Sequence, residues 1–222
     1  MNITRRAFCQ ATALFGAATM LSGLVPNFDL VRLAGAQTPS PADLQQPGPL
    51  GDMALGADNA PVTIIEYASM TCSHCADFHN KTYPKLKERY IDTGKVRFIL
   101  REFPLDPLAA GAFMLARCAG KDDKNKYFAM VETLFHQQRD WLVQRPLDPL
   151  KAIAKQAGFS EQTFEQCLAN QQVLNGIEQV RQRASEKLGV NSTPTFFING
   201  KIQRGAISIE ELDRQIESYL KS

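Results

Sequence analysis

The apolar positions along the chain fall into two patterns, short branched runs and helical repeats. The segment 61–68 is a β-branched run of the length of a buried strand, and 96–103 alternates in a strand-like way. Between them, 76–90 follows a helical pattern. The remaining predicted elements are helices over 109–119, 124–138, 149–157, 161–170 and 173–188, strands over 195–198 and 201–204, and a helix over 209–220.

Two local signals support this assignment. Phe128, Val131, Leu134 and Phe135 recur at the spacing of one apolar helix face. Asn199-Gly200 lies between the last two predicted strands and favours a two-residue hairpin turn. The chain therefore reads strand, helix, strand, a block of helices, two strands and a final helix, which predicts an α/β fold.

The N-terminal residues have the layout of an export signal. Arg5-Arg6 precedes an apolar stretch over 11–25, and Ala34-Gly35-Ala36 supplies small residues for cleavage. The paired arginines indicate a twin-arginine signal, and an ordinary secretory signal is the alternative. We therefore expect residues 1–36 to be removed in the periplasm. Residues 37–58, rich in Pro, Gln and Gly at their start, are predicted to form a flexible lead-in.

The candidate chemistry lies at Cys72-Ser73-His74-Cys75, a C-x-x-C motif between the first strand and its helix. A helix N-terminus carries partial positive charge and unpaired N–H groups, and both stabilise a thiolate. This predicts Cys72 as the nucleophile and Cys75 as the buried resolving thiol. Half of a zinc site is the alternative, but a structural zinc needs four ligands, and no second pair at suitable spacing accompanies this one. No metal or other cofactor is expected.

Cysteine number agrees with an oxidising compartment. Cys9 lies in the predicted signal, which leaves an even set of four cysteines. Cys72 pairs with Cys75 in the oxidised form, so a structural disulfide between Cys118 and Cys167 is predicted. Two buried free thiols are the alternative. The net charge of +2 and the lack of a basic run give no indication of nucleic-acid binding.

Three segments resemble the DsbA-like thiol:disulfide oxidoreductases. They are 66–75 (EYASMTCSHC), 117–119 (RCA) with Tyr127 and Phe128, and 189–200 (GVNSTPTFFING). The resemblance implies a thioredoxin-like fold with an inserted all-helical domain. The parts would be 59–105 and 188–222 for the thioredoxin fold and 106–187 for the insertion. Ser73 departs from the best-known members, which carry proline at this position and use it to tune redox poise.

The resemblance also implies roles for four residues beside the cysteines. His74 would hydrogen-bond to the thiolate or add positive charge beside it, although an exposed histidine with no such role is the alternative. Glu66 would move protons at the buried thiol, although an acid facing water at a strand edge is the alternative. Thr193 and Pro194 would form the cis-proline loop that lies against the disulfide and pairs with an extended substrate. His79 and His136 are interpreted as ordinary surface or partly buried residues.

The function expected from this resemblance is that of a periplasmic oxidase. It would donate its disulfide to reduced or unfolded exported proteins as a monomer, and a quinone-linked membrane oxidase would recharge it. A disulfide isomerase or reductase of the DsbC or DsbG kind is the alternative. Those proteins carry an N-terminal dimerisation domain, for which the lead-in is short. A non-catalytic chaperone is a third interpretation.

Overall fold

The computed structural model of the protein describes residues 39–221, so the predicted export signal over 1–36 lies outside the described residues. The first half contains α1 (Pro41–Gln45), β1 (Met53–Leu55), β2 (Val62–Ala68), α2 (Ser73–Asp77), a π-helical segment (Phe78–Thr82), α3 (Tyr83–Leu86), a second π-helical segment (Lys87–Ile91) and β3 (Val96–Glu102). The second half contains α4 (Pro107–Ala119), α5 (Lys124–His136), α6 (Gln138–Trp141), α7 (Leu147–Gln156), α8 (Glu161–Leu168), α9 (Gln171–Lys187), β4 (Thr195–Ile198), β5 (Lys201–Arg204) and α10 (Ile209–Leu220).

The five strands form one mixed sheet in the order β1-β3-β2-β4-β5. β2 and β3 run parallel at its centre, and the other neighbours pair antiparallel. Both central strands are buried along almost their whole length, which explains why they read as continuous apolar runs. The fold is thioredoxin-like with an inserted block of helices, as predicted.

Asn199 and Gly200 form the predicted hairpin turn between β4 and β5. Their φ angles are 45° and 85°, a left-handed conformation that asparagine and glycine adopt at low cost. The Asn199 side chain also accepts a hydrogen bond from the Thr63 N–H at 2.7 Å. The hairpin prediction is confirmed, and the turn is attached to the central strand β2.

Each face of the sheet carries its own apolar cluster. On one face, Ile64, Phe98 and Phe196 share a core with the helices that follow β2 and with α10. On the other face, Ile65 and Ile99 pack with Val180 and Ala184 of the C-terminal half of α9 and with Leu188, the residue that follows it. The predicted insertion, 106–187, thus includes a helix that also packs on the sheet. The second half of α9 covers the thioredoxin sheet instead of belonging to the insertion alone.

Within the predicted lead-in over 37–58, the residues from 39 onward include regular elements that contact the rest of the chain. Ser40 caps α1, and β1 pairs with β3 as the edge strand of the sheet. Arg101 donates to both carboxylate oxygens of Asp52 at 2.9 Å, and Arg183 donates to the Gln46 carbonyl at 2.7 Å. The lead-in is short and Pro-rich, so local patterning did not reveal it. Its order comes from partners far away in the chain.

A buried polar cluster joins the insertion to the sheet. Arg117 of α4 donates to both carboxylate oxygens of Glu102 at the end of β3, at 2.5 and 3.0 Å, and Tyr127 of α5 donates to the same carboxylate at 3.0 Å. Arg117 also reaches the Leu50 and Gly51 carbonyls at 3.1 Å. Arg117 and Tyr127 are among the residues that carry the resemblance described above, and both hold the insertion against the sheet.

Within the insertion, the structure joins Cys118 of α4 to Cys167 of α8 in a disulfide with a Cα–Cα distance of 5.9 Å. The two helices also pack through Phe164 and the surrounding core. Among residues 39–221, no helix combines the length and the apolar character that crossing a membrane requires.

We predict that replacing Cys118 and Cys167 by alanine lowers the free energy of unfolding by about 4 kcal/mol, because the disulfide closes a loop of 49 residues. Urea unfolding in a Cys72→Ala/Cys75→Ala background measures this difference. In that background reductant acts on this disulfide alone, so the reduced protein should match the alanine variant. A difference that persists in reductant contradicts the assignment.

Candidate active site

Cys72 lies at the point where the chain leaves β2 and enters α2. It is the N-cap residue of α2, with an extended backbone, and its N–H donates to the Ser69 carbonyl at 3.1 Å. Its side chain is partly exposed. The strand-to-helix turn therefore presents the sulfur at the edge of the protein, beside the free N–H groups of the first helical turn.

The surroundings of Cys72 favour its thiolate. The Cys75 thiol, the Thr193 side chain and the backbone N–H groups of Cys75 and His74 are donors that stabilise the Cys72 anion. Their effect outweighs that of partial burial and lowers the pKa of Cys72 to about 5. The largest contribution comes from the Cys75 thiol. A thiolate is the nucleophilic form of cysteine, so the surroundings of Cys72 favour its nucleophilic form at neutral pH.

Cys75 has the opposite environment one turn further into the helix. It is fully buried in the apolar core. Burial, together with its hydrogen bond to Cys72 and the negative charge of Glu66, raises the pKa of the Cys75 thiol well above its ordinary value. The two cysteines are free thiols in this structure. The two thiols therefore differ in protonation, with the anion favoured at the partly exposed Cys72 sulfur and the proton retained on the buried Cys75 sulfur.

The loop before β4 lies against the sulfur from the other side. The Thr193–Pro194 peptide bond is cis, and the Cys72 thiol donates to the Thr193 carbonyl at 3.3 Å. The Thr193 hydroxyl is buried and has no hydrogen-bond partner among the described groups. It is therefore available to donate to Cys72 once the thiol has ionised.

Two further side chains, which sequence reasoning missed, hold the active-site turn. Gln138 of α6 is buried and donates to the Met70 and Cys72 carbonyls at 2.7 and 3.1 Å. Asp106, the N-cap of α4, accepts from the Thr71 hydroxyl at 2.5 Å. A glutamine inside a helical block gives no sequence signal for this role, since its partners are backbone carbonyls 66 and 68 residues away.

His74 occupies a different position from the one its ring was expected to take. Its side chain is exposed, and its contribution to Cys72 comes through the backbone N–H. Any residue other than proline could supply that N–H at the first turn of a helix. The backbone N–H of His74 thus stabilises the Cys72 thiolate, and the role of the imidazole stays a prediction.

Glu66 and His79 form a buried pair beneath the motif. The two side chains are 0% and 1% exposed, and His79 Nε2 lies 2.9 Å from Glu66 Oε2. The interpretation of His79 as a surface or partly buried residue is therefore wrong. Its position, one helical turn beyond Cys75 on the same side, was the available signal, because residues four apart share a helix face. Glu66 is not at a water-facing edge.

The described residues contain no group of three or more metal-ligating side chains that could hold an ion. The arrangement instead supports thiol–disulfide exchange, with an accessible thiolate, a buried partner thiol within reach and an adjoining backbone edge.

Comparison with known proteins agrees with this geometry. The family model described as Thioredoxin matches residues 50–218. The crystal structure of α-DsbA1 from Wolbachia pipientis is 33% identical with a TM-score of 0.76, and the match covers 82% of this chain and 97% of that one. This chain belongs to the DsbA-like thioredoxin family.

Two further proteins widen the comparison. A Rickettsia conorii protein named as a candidate protein-disulfide oxidoreductase is 33% identical over 174 residues, which is 77% of this chain and 61% of the relative. The chain thus spans about three fifths of that relative's length. BdbD from Bacillus subtilis shares the fold, with 24% identity and a TM-score of 0.69 over 84% of this chain and 98% of that one.

For this DsbA-like protein we predict that Thr193→Val raises the pKa of Cys72. The substitution removes a hydroxyl donor to an anion, a bond worth roughly 1.5–3 kcal/mol, so the midpoint should move up by roughly one pH unit or more. Thiolate absorbance at roughly 240 nm follows the titration of the reduced protein. Thr195→Val is the matched control, because the Thr195 hydroxyl donates to the Ser192 carbonyl instead. Equal midpoints in the two variants contradict the assignment.

The depressed pKa of Cys72 also predicts how stability depends on pH. The unfolded chain binds more protons at this thiol than the folded chain does, so the stabilisation of the reduced protein is full above the ordinary cysteine pKa and is lost as pH falls through about 5. The disulfide form lacks this group. The difference in melting temperature between the reduced and oxidised forms should therefore shift by roughly a few degrees against the reduced form between neutral pH and about pH 4.

Reduced Cys72→Ala is the control for this pH dependence. Carboxylates that titrate in the same range do so in both redox forms, so they largely cancel in the comparison. Without the thiolate, the change between neutral and acidic pH should disappear. A reduced Cys72→Ala protein that shows the same pH dependence as unaltered reduced protein would assign the effect to another group.

Proposed function

We propose that the protein is a periplasmic dithiol oxidase that donates its Cys72–Cys75 disulfide to newly exported proteins. The supporting observation is the pKa of about 5 for Cys72, set against the raised pKa of Cys75. A stabilised thiolate favours the reduced form of the couple, which makes the disulfide a stronger oxidant. DsbA is itself a well-established example of this effect, so family membership and site geometry point in one direction.

The proposed reaction transfers two electrons from the substrate to the protein. A substrate thiolate attacks Cys72 Sγ, the bond between Cys72 and Cys75 breaks, and Cys75 leaves as a thiolate that takes up a proton. A second substrate thiolate then attacks the substrate sulfur of the mixed disulfide. Cys72 leaves as its stabilised thiolate, and the substrate carries the new disulfide.

The proposed substrates are reduced or unfolded exported chains, which the protein would serve as a monomer. Exposed apolar side chains flank the elements that hold the active-site turn. Leu105 directly precedes the Asp106 cap and is 51% exposed, while Leu142 and Val143 follow α6 and are 42% and 47% exposed. Apolar surface of this kind suits an unfolded chain. Recharging of the dithiol is assigned to a quinone-linked membrane oxidase.

The test is a comparison of oxidase and isomerase activity in one preparation. Stoichiometric oxidised protein should introduce about one disulfide per molecule into a reduced, unfolded substrate, and Cys72→Ser should reduce this to the uncatalysed rate, since without the Cys72 sulfur there is no disulfide to transfer. With a scrambled, disulfide-containing substrate, Cys75→Ala should accumulate a mixed disulfide at Cys72, because the Cys72 thiolate attacks a substrate disulfide, the other substrate sulfur leaves as a thiolate, and no Cys75 thiol resolves the product. Mass spectrometry detects this species. Equilibration with glutathione gives the redox potential.

The isomerase alternative has a distinct outcome in the same experiment. A protein that rearranges a scrambled substrate faster than it oxidises a reduced one, with a potential near that of glutathione, contradicts the oxidase proposal. The chaperone alternative is favoured if Cys72→Ser retains full effect on substrate refolding.

A further inference from the structure

The buried Glu66–His79 pair has an unfilled hydrogen-bonding capacity. Its contact uses one atom from each side chain, and the other two, Glu66 Oε1 and His79 Nδ1, have no hydrogen-bond partner among the described groups. Buried polar atoms of this kind carry a desolvation cost, and each calls for an explanation. The His79 ring is also fixed in place, stacked on Phe135 with 4.4 Å between ring centroids.

A cavity open to the surface reaches His79, one member of this pair. It has a volume of about 470 Å³ and extends from the buried side chains of His79 and Tyr83 to the exposed side chains of Glu132 and His136. A cavity of this size and polarity can hold several water molecules. His79 is therefore in contact with Glu66 on one side and lines a cavity open to solvent on the other.

Thiol–disulfide exchange adds a proton to Cys75 or removes one from it. Cys75 changes between a disulfide sulfur and a buried thiol, and it cannot remain an anion in the apolar core at low cost. The charge of Glu66 acts on the Cys75 thiol. Both groups are fully buried, so the proton needs a path to water.

We propose that His79 carries the proton that Cys75 takes up or releases, passing it between Glu66 and the water of this cavity. The proposal rests on exchange chemistry at Cys72 and Cys75. Cys75 gains or loses a proton whether the protein oxidises or reduces its substrate. The proposal therefore does not depend on the protein being an oxidase.

The Cys75 thiol loses its proton when it attacks and resolves a mixed disulfide at Cys72. Cys75 gives its proton to Glu66, His79 relays one proton onward to solvent, and the Cys75 thiolate attacks Cys72 Sγ. The Cys72–Cys75 disulfide forms, and the outgoing thiolate leaves with the electron pair of the broken bond. In the reverse direction His79 brings the proton in.

His79 is the member of the group that is suited to this transfer. The charged and titratable groups facing it are Glu66 from β2, Tyr83 from its own helical run, Glu132 and His136 from α5, and Lys87, Glu88 and Asp92 from the following turns. Burial raises the pKa of the Tyr83 phenol, so it retains its proton. Partial desolvation raises the pKa of Glu132, which lies at the cavity mouth and feels the charge of His79. A histidine exchanges protons near neutral pH.

The experiment follows the oxidation of reduced protein by DTNB, which separates the two cysteines. Cys72 attacks the reagent and releases one thionitrobenzoate, and Cys75 then attacks the mixed disulfide and releases a second. Only the first phase depends on reagent concentration, so a high concentration resolves the second. The variants are His79→Gln, which keeps an amide N–H near the Nε2 position, and His136→Gln, which alters an exposed histidine of the same cavity.

We expect His79→Gln to slow the second phase by roughly ten- to a hundredfold near neutral pH, because proton transfer by a positioned group contributes about that much or more. The rate of the first phase should stay within about twofold of that of the unaltered protein, and the midpoint of the Cys72 titration should not move. Neither quantity depends on transfer of the Cys75 proton. His136→Gln should leave both phases unchanged. The second phase should also lose part of its pH dependence in His79→Gln.

Two outcomes overturn the proposal. One is an unchanged second phase in His79→Gln, and the other is a parallel fall in both phases, which indicates a structural role. If His79→Gln does not fold, ¹⁵N NMR of the imidazole in unaltered protein decides. The ¹⁵N shifts of the His79 ring should differ between the dithiol and disulfide forms, and identical shifts in both forms between about pH 5 and 9 overturn the proposal.

Discussion

The structure depends on one constraint, the placement of the Cys72 sulfur where three distant segments meet. β2 delivers the residue to the first turn of α2, the Thr193–Pro194 loop lies against it, and Gln138 of the insertion fixes the carbonyl of the same residue. None of these segments can shift without moving hydrogen-bond donors relative to the sulfur. Sites that stabilise charge need such fixed donors, because donors that reorient lose part of their effect.

The same placement explains why two cysteines three residues apart differ in chemistry. Cys72 lies at the open end of the helix, where N–H groups face an anion, and Cys75 lies one turn deeper in apolar surroundings. The hydrogen bond between them contributes in opposite directions, since it lowers the pKa of one thiol and raises that of the other. The difference follows from depth along a single helical turn.

The sequence predicted the elements whose pattern is local and missed the contacts that are not. The central strands, the hairpin at Asn199-Gly200 and the position of Cys72 follow from runs, turn residues and spacing. Gln138 and His79 are different, because their partners lie on other elements and no pattern in their own helices identifies those partners. The contacts of the lead-in were not predicted for the same reason, since its partners Arg101 and Arg183 lie far from it in the sequence.

The helical insertion is therefore part of the site and not an appendage to it. It supplies Gln138 to the active-site turn, Phe135 to the His79 ring and Glu132 to the cavity beside that ring. In turn, Arg117 and Tyr127 bind the insertion to the Glu102 carboxylate. Glu102 is the last residue of β3, beside the end of the parallel strand β2. A change in the angle between insertion and sheet would thus alter both the exposed thiolate and the route of the buried proton, because the adjoining helices α5 and α6 carry the residues that contact them.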